Sequence, residues 1–456
     1  MTTLAIHDAR VIDPKLGLDG LMDIVVVDGR IARIGPNEAD MVIEAERIDA
    51  SGLTVTPGFV DLHCHLREPG FEQKETIATG TSAAAKGGFT TVCAMPNTDP
   101  PLDSQATAES VLHQIEQSAL VRVLPIGCIT RGRAGNELAP AAELVESGVV
   151  AISDDGDAVA NTALMQAALS YSSLFALPVV QHAEDPALVA NGQIHEGWVS
   201  TRLGLRGRPS SAEEILVARD IALAEVTGGH LHLAHISTSG SVALIAAAKD
   251  RGIHVTAEVT PHHLTLTHEI VAFDGQSPAI QYDTSAKVNP PLREPQDLEI
   301  LTEAVARGTV DAIATDHAPH SRSDKEIEFD LAAPGISMLE TAFGLAMKRV
   351  HDGSLNLSTL IKTLTSGPVD SWSLERRTNT PGLGTLSPGS PADIAIIDPD
   401  LLWKVDTQEF LSKGKNTPLD GWELKGKVLA TLFNGEPVYV GSEMSSRLRL
   451  NYEGGR

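Results

Sequence analysis

Eight short apolar runs, separated by stretches of helical periodicity, constrain this chain more than any other feature. They are FVDLHCH from position 59, TTVCAM from 90, RVLPI from 122, VVAIS from 149, PVVQH from 178, LHLAH from 231, HVTAEV from 254 and DAIATD from 311. Between them lie segments such as ETIATGTSAAAKGG and SAEEILVARDIALAEVTGG, whose apolar residues recur at helical spacing. Strands that alternate with helices imply βα units and a parallel sheet. Eight such units predict a closed (β/α)8 TIM barrel.

The two ends read differently. IVVVDGRIARIG near the N-terminus is a hairpin pattern around Asp28-Gly29, and GKVLATLFNGEPVYVG near the C-terminus is another around Asn434-Gly435. Both ends are strand-rich, so residues 1–56 and 376–445 are expected to combine into one small β-sandwich domain, leaving 57–375 as the barrel. The chain has 456 residues, 42% of them hydrophobic, enough for a large core and a smaller one.

In a barrel of this kind the reactive groups sit where the strands end at their C-terminal edge. The first run ends in His63-Cys64-His65, the fourth leads into Asp154-Asp155, the fifth ends at His182, the sixth at His235 and the eighth at Asp316. His63 and His65 are two apart on a strand, so both point to one face while Cys64 points to the other. An isolated His-x-His pair arises easily on a half-buried strand. Three further ligand-type residues at equivalent strand ends make coincidence a poor account. Imidazole with carboxylate and no thiolate suits zinc, with cobalt or manganese as alternatives.

Charge and cysteine usage narrow the partners. The formal net charge of -25 argues against sequence-independent nucleic-acid binding, which rests on clustered Lys and Arg. Any anionic substrate therefore needs local cations in the pocket. No apolar run is long enough to span a bilayer. The start, MTTLAIHDARVIDP, lacks the pattern of a secretion signal, and three scattered cysteines (Cys64, Cys93, Cys128) suit reduced, buried thiols. A cytoplasmic location is the expectation.

The segments PGFVDLHCHLREPG, AMPNT at 94–98, SDDG at 153–156, KVNPPLR at 287–293 and ATDHAPH at 314–320 resemble, in order, the motifs of dihydroorotases within the amidohydrolase superfamily. The resemblance spans the whole chain. It implies two Zn2+ ions per subunit, one held by His63 and His65 with Asp316, the other by His182 and His235. Many relatives bridge the pair with a carboxylated lysine. No lysine stands at that place here, which is similar to the branch that uses an aspartate, and Asp155 is the expected bridge with Asp154 as rival.

The same resemblance implies reversible cyclisation of N-carbamoyl-L-aspartate to L-dihydroorotate in de novo pyrimidine (UMP) biosynthesis. A hydroxide bridging the metals would attack the ring, with Asp316 as general acid/base; a plain ligand role is the alternative. Arg67 lies two residues beyond His65, and a guanidinium there offers a bidentate clamp for the exocyclic carboxylate. Its plain alternative is an ion pair with Glu68. Asn97 and His320 are its implied partners, His65 is counted with them, and Asn289 is implied to meet the ring amide. Backbone groups of Pro334-Gly335 are implied to reach the ring, although AAPGIS lacks the aromatic expected before the glycine.

Other histidines have structural readings: His262 and His263 as loop or packing residues, His230, His232 and His254 as residues facing away from the site. Glu258 is a weak candidate for a polar partner inside the barrel. The turn-rich stretch 272–286 is expected to be either a mobile loop at the entrance or an ordered insertion. Alternative activities are those of a hydantoinase, dihydropyrimidinase or allantoinase, whose substrates lack the carboxylate, or of an inactive scaffold. A homodimer is implied, and association with aspartate transcarbamoylase is known among similar proteins.

Overall fold

The eight apolar runs form the eight strands of one parallel sheet. The computed structural model describes residues 3–42, 45–272 and 281–449. The barrel strands are Phe59–Cys64, Phe89–Ala94, Arg122–Gly127, Ala151–Ser153, Val179–Gln181, Leu231–Leu233, Val255–Val259 and Ala312–Ile313, each paired with its neighbours in chain order. The circle closes where Cys64 bridges His317 in parallel and the His65 N–H donates to the His317 carbonyl at 2.9 Å. A second tie crosses the same seam: Asp61 accepts from the Thr315 N–H at 2.8 Å.

These strands are buried on both faces, which is why they read as apolar runs without polar alternation. The connecting helices carry the expected start signals. Thr76 caps the helix Ile77–Lys86 through the Thr79 N–H, and Asn161 caps Thr162–Ser173. Gly228 and Gly308 end the helices Ser211–Thr227 and Pro295–Arg307 in left-handed conformations.

Strands from both termini build a separate nine-stranded sheet. The junction is antiparallel, Thr54–Pro57 pairing with Ile394–Lys404 through Ile394 opposite Pro57 and Ile397 opposite Thr54. Both expected hairpins are present, Leu18–Val27 with Arg30–Gly35 and Glu423–Phe433 with Glu436–Val440. Their turns have Asp28 and Gly29 at φ 48° and 76°, and Asn434 and Gly435 at 50° and 81°. Those values fit the primed turns that two-residue hairpins favour. The turns also touch, since a Cβ on Gly29 would lie 2.6 Å from the Asn434 carbonyl oxygen.

Along Ile394–Ile397 alternate residues serve different cores. Ile394 and Ile396 join Ile6, Val11 and Ile24 in a core of the terminal sheet's own. Ala395 and Ile397 join Phe59, Phe89 and Phe343 in the core shared with the barrel helices. No helix among the described residues is long and apolar enough to cross a membrane. The turn-rich stretch before KVNPP lies partly outside the described residues, at 273–280. Beyond it, the Tyr282 hydroxyl donates to the Leu203 carbonyl at 2.9 Å.

Candidate metal centre and substrate pocket

Strand ends one, four, five, six and eight bring six buried side chains together, His63, His65, Asp155, His182, His235 and Asp316, with Asp155 between the others. His63 Nε2 and His65 Nε2 lie 3.4 and 3.5 Å from Asp155 Oδ2, and His235 Nε2 and His182 Nδ1 lie 3.4 and 3.6 Å from Asp155 Oδ1. Asp316 Oδ1 stands 3.1 Å from His65 Nε2 and 3.5 Å from His63 Nε2. Two groups of donor atoms result, His63, His65 and Asp155 on one side, Asp155, His182 and His235 on the other. Each group is compact enough to hold one ion, and they share the aspartate.

Asp154 faces elsewhere. Its Oδ1 accepts the N–H groups of Ile129 and Thr130 at 2.9 and 3.0 Å, and its Oδ2 accepts from the Thr130 hydroxyl. Of the adjacent aspartates, one is consumed in fastening the loop after the third strand and the other points into the barrel mouth.

The donor set suits a divalent cation on the protein's own evidence. His63 Nε2 and Asp155 Oδ1 are buried without a hydrogen-bond partner, and an orphaned buried polar atom is costly unless something occupies it. The opposite nitrogen of His63 donates to Glu258 Oε1 at 2.7 Å, which fixes the ring and leaves Nε2 facing inward. Burial opposes ionisation throughout. Even so, His63 holds Asp155 well below its ordinary range, His63 and His65 do the same for Asp316, and Asp155 with Glu184 lifts His182 to about 9. His235 and Asp316 adopt positive φ, 30° and 43°, which side chains other than glycine rarely take. Such strain is typical where a backbone is bent to aim a functional group.

Beside these donor groups opens a cavity of about 210 Å³ walled by His65, Arg67, Asn97, His182, Asn289, Asp316, His320, Pro334 and Gly335, with Asp155, Gly156 and Ala318. Arg67, at φ 62°, donates through Nε to the Pro319 carbonyl at 3.3 Å, and its Nη2 is 3.4 Å from His320 Nε2. Burial lowers the guanidinium only to about 10, so it remains charged. The alternative ion pair with Glu68 is not what forms: Glu68 Oε2 accepts from the Ile77 N–H at the start of the first barrel helix. Asn97 Oδ1 accepts from His65 Nδ1 at 2.9 Å. That leaves its NH2 as a donor on the same wall. Burial and Arg67 hold His320 near 2, so its ring is neutral, and its Nε2–H donates to the Pro334 carbonyl at 2.8 Å.

The Pro334-Gly335 backbone is already engaged. The Gly335 N–H donates to the Lys287 carbonyl at 2.8 Å, and the Gly335 carbonyl accepts from Lys325 Nζ at 3.1 Å and Asn416 Nδ2 at 2.9 Å. These residues contribute a wall, and the free lone pair of the Pro334 carbonyl is their remaining polar group.

Several participants escaped the sequence reading. Glu184 Oε2 lies 3.3 Å from His182 Nε2 and accepts from Arg208 at 3.0 Å. Arg208 also donates to Asn289 Oδ1, while Asn289 Nδ2 lies 3.1 Å from His182 Nε2. Arg208 sits on a two-residue strand, Gly207–Arg208, too short to leave a periodic signal. Glu258 is more central than its weak reading allowed, since it serves His63 and, through Oε2 at 3.2 Å, His232. His263 is a packing residue bonded to Thr260 and the Pro290 carbonyl, and His230 stacks on His254 at 4.0 Å.

Comparison with known proteins gives the family and the fold. A family model described as "Dihydro-orotase-like" matches residues 52–241. A dihydroorotase from Anaeromyxobacter dehalogenans is 49% identical over 436 residues, covering 96% of this chain and 98% of its own. One from Syntrophotalea carbinolica is 47% identical over 96% of this chain and 99% of its own. Among solved structures, the L-hydantoinase (dihydropyrimidinase) of Arthrobacter aurescens superposes with a TM-score of 0.85 at 25% identity, covering 97% of each chain. The dihydropyrimidinase of Brevibacillus agri, at 20% identity and a TM-score of 0.82, shares the fold over 98% of this chain and 97% of its own. With strand ends, acids and near-full-length relatives in agreement, this chain belongs to the dihydroorotase family.

Proposed function

We propose that the protein interconverts L-dihydroorotate and N-carbamoyl-L-aspartate with two zinc ions, bridged by Asp155, one on His63, His65 and Asp316 and the other on His182 and His235. The observation that carries the reading is the adjacency of a charged Arg67 to the shared-aspartate centre within one small cavity. A carboxylate clamped by the arginine would stand beside the His and Asp groups that could hold the metals. Relatives named dihydroorotase at 47–49% identity support the same substrate.

Bound zinc would supply Lewis acidity and a water acidic enough to attack near neutral pH. The protein's own residues do the rest. Arg67 and the Asn97 amide grip the exocyclic carboxylate and set the ring's orientation, with the neutral His320 closing that wall. Asp316 is ionised and faces the cavity, so it accepts the proton of the attacking water as the C–O bond forms. When the ring C–N bond breaks, Asp316 returns that proton to the departing nitrogen. Asn289, its amide oriented by Arg208, lies within reach of the ring amide. In the biosynthetic direction the ureido nitrogen attacks the carboxyl carbon, protonated Asp316 helps expel water, and the ring closes.

The wider reading is of a cytoplasmic, homodimeric enzyme of pyrimidine biosynthesis, able to associate with aspartate transcarbamoylase, in which 1–56 with 376–445 forms one domain and 57–375 the catalytic one. The structural likeness to hydantoinases favours, as a second reading, a ring opened without regard to a carboxylate. Turnover of L-dihydroorotate, dihydrouracil and hydantoin, with and without added zinc, separates them. Zinc-dependent opening of dihydroorotate alone is expected. Equal or better turnover of the other two would replace this proposal with a hydantoinase-type activity, and a protein that takes up no metal would point to an inactive scaffold.

A further inference from the structure

The loop after the eighth strand, which walls one side of the cavity, is tied by several hydrogen bonds to an asparagine on the segment that links two strands of the terminal sheet. Between the strands Ile394–Lys404 and Glu423–Phe433 the chain leaves the sheet and reaches to the barrel mouth, where Ser412 and Asn416 are buried. Asn416 Oδ1 accepts the His320 N–H at 2.8 Å, and the Ser337 hydroxyl oxygen lies 3.1 Å from it. Its Nδ2 donates to the carbonyl oxygens of Ala318 at 3.1 Å and Gly335 at 2.9 Å. Its own carbonyl accepts the Ser337 N–H at 2.7 Å.

This set of partners needs a carboxamide, an acceptor and a donor on one side chain. The backbone N–H of His320 can only donate, and the carbonyls of Ala318 and Gly335 can only accept, so the amide has one correct orientation. Aspartate would set a carboxylate oxygen against two carbonyl oxygens, and an apolar residue would leave buried backbone groups unpaired. The approach is close as well: a Cβ on Gly414 would lie 2.5 Å from Pro319 Cβ and 2.8 Å from the His320 nitrogen. Ser337 adds a clip, its hydroxyl donating to the Gly414 carbonyl at 2.7 Å. The anchor of the reaching segment is independent, because the Leu411 and Ser412 N–H groups bind Glu340, and Ser412 and Lys413 bind Glu75.

We infer that Asn416 is a positioning residue for substrate: it couples the terminal sheet to the pocket by fixing His320 and Gly335, the two sides of the wall facing Arg67, without touching the substrate itself. Asn416 does not line the cavity, so its effect passes through the residues it binds. The inference rests on the proposed role of that cavity in gripping a carboxylate.

Steady-state turnover of L-dihydroorotate, metal content and thermal unfolding are compared for the parent, Asn416→Ala, Asn416→Asp and Ser337→Ala. Misplacing the wall should weaken substrate binding far more than the chemical step. Asn416→Ala is expected to raise KM by about tenfold or more, with kcat within about threefold and metal content unchanged. Ser337→Ala should move KM in the same direction by less, and Asn416→Asp should not rescue it. A folded, metal-loaded Asn416→Ala with unchanged KM overturns the inference, as does a parallel fall of kcat and metal content. If Asn416→Ala does not fold, Ser337→Ala decides, and an unchanged KM there overturns it equally. A parent with no turnover at all instead removes the functional reading on which the inference stands.

Discussion

At the scale of single residues the adjacent pair Asp154-Asp155 makes the sharpest contrast, because the same side chain at neighbouring positions has separate duties. Asp155 stands between the two donor groups and Asp154 is spent on Ile129 and Thr130. Asp155→Ala should therefore lose at least one metal equivalent with little change in the loop, whereas Asp154→Ala should keep both metals and lower the melting temperature. Two retained metals in Asp155→Ala, measured on the purified protein, would defeat the bridging role. Protons compete for the same atoms. His182 is raised from 6.5 to about 9 in the metal-free protein, as Asp155 and Glu184 outweigh its burial. A group raised on folding stabilises fully below its unfolded value and ceases to do so as pH rises through the folded one. The metal-free protein thus loses this support between pH 6.5 and about 9, while ligation, which needs the neutral ring, strengthens. The rise in melting temperature on adding zinc should be larger at pH 9 than at pH 7, and a smaller shift at the higher pH would contradict this assignment.

At the scale of elements, what the sequence revealed and what it hid divide along a physical line. Buried parallel strands announce themselves as apolar runs, and a polar residue closing such a run marks the barrel rim, so the eight strands and His63, His65, His182, His235 and Asp316 were legible. Contacts made across the barrel were not, because nothing local records them. Glu258 on the seventh strand reaches His63 on the first, nearly two hundred residues away in the chain. Arg208 on its two-residue strand and Asn416 on its irregular segment carry no periodicity at all. The resemblance favours Asp155 over Asp154 as the bridge, but the use to which Asp154 is put, binding the Ile129 and Thr130 N–H groups, has no local signal. The strand-to-strand support of His63 is itself testable. Glu258→Gln preserves shape while removing the charge that orients His63 and raises its basicity, so zinc affinity should fall by about 10- to 100-fold, read by competition with a chelator. Unchanged affinity would mean that His63 is held by packing alone.

At the scale of the whole molecule, the terminal sheet is part of the barrel's core rather than an appendage. Ala395, Ile397, Val405, Phe410, Leu419, Leu424 and Val428 lie in the same apolar cluster as Phe59, Phe89, Phe343 and the barrel strands. The Thr431 hydroxyl donates to the Ala85 carbonyl, and a Cβ on Gly88 would meet Val428 Cγ2 at 3.1 Å, so the two parts pack closely where they meet. Residues 57–375 expressed alone would expose that cluster, a contiguous apolar surface of the kind that drives aggregation. They would also lack Ser412 and Asn416 at the mouth of the pocket. The isolated segment should be insoluble or lack fixed tertiary packing by near-ultraviolet circular dichroism, and the intact chain should unfold in one thermal transition. A soluble, metal-loaded 57–375 with native-like packing would show that the barrel folds alone, and the terminal sheet would then be a true accessory. Because one of the terminal sheet's two apolar faces packs into the barrel's core, a destabilising change in that shared cluster is expected to lower a single transition, and loss of the C-terminal strands should abolish turnover even though every candidate metal ligand precedes them in the chain.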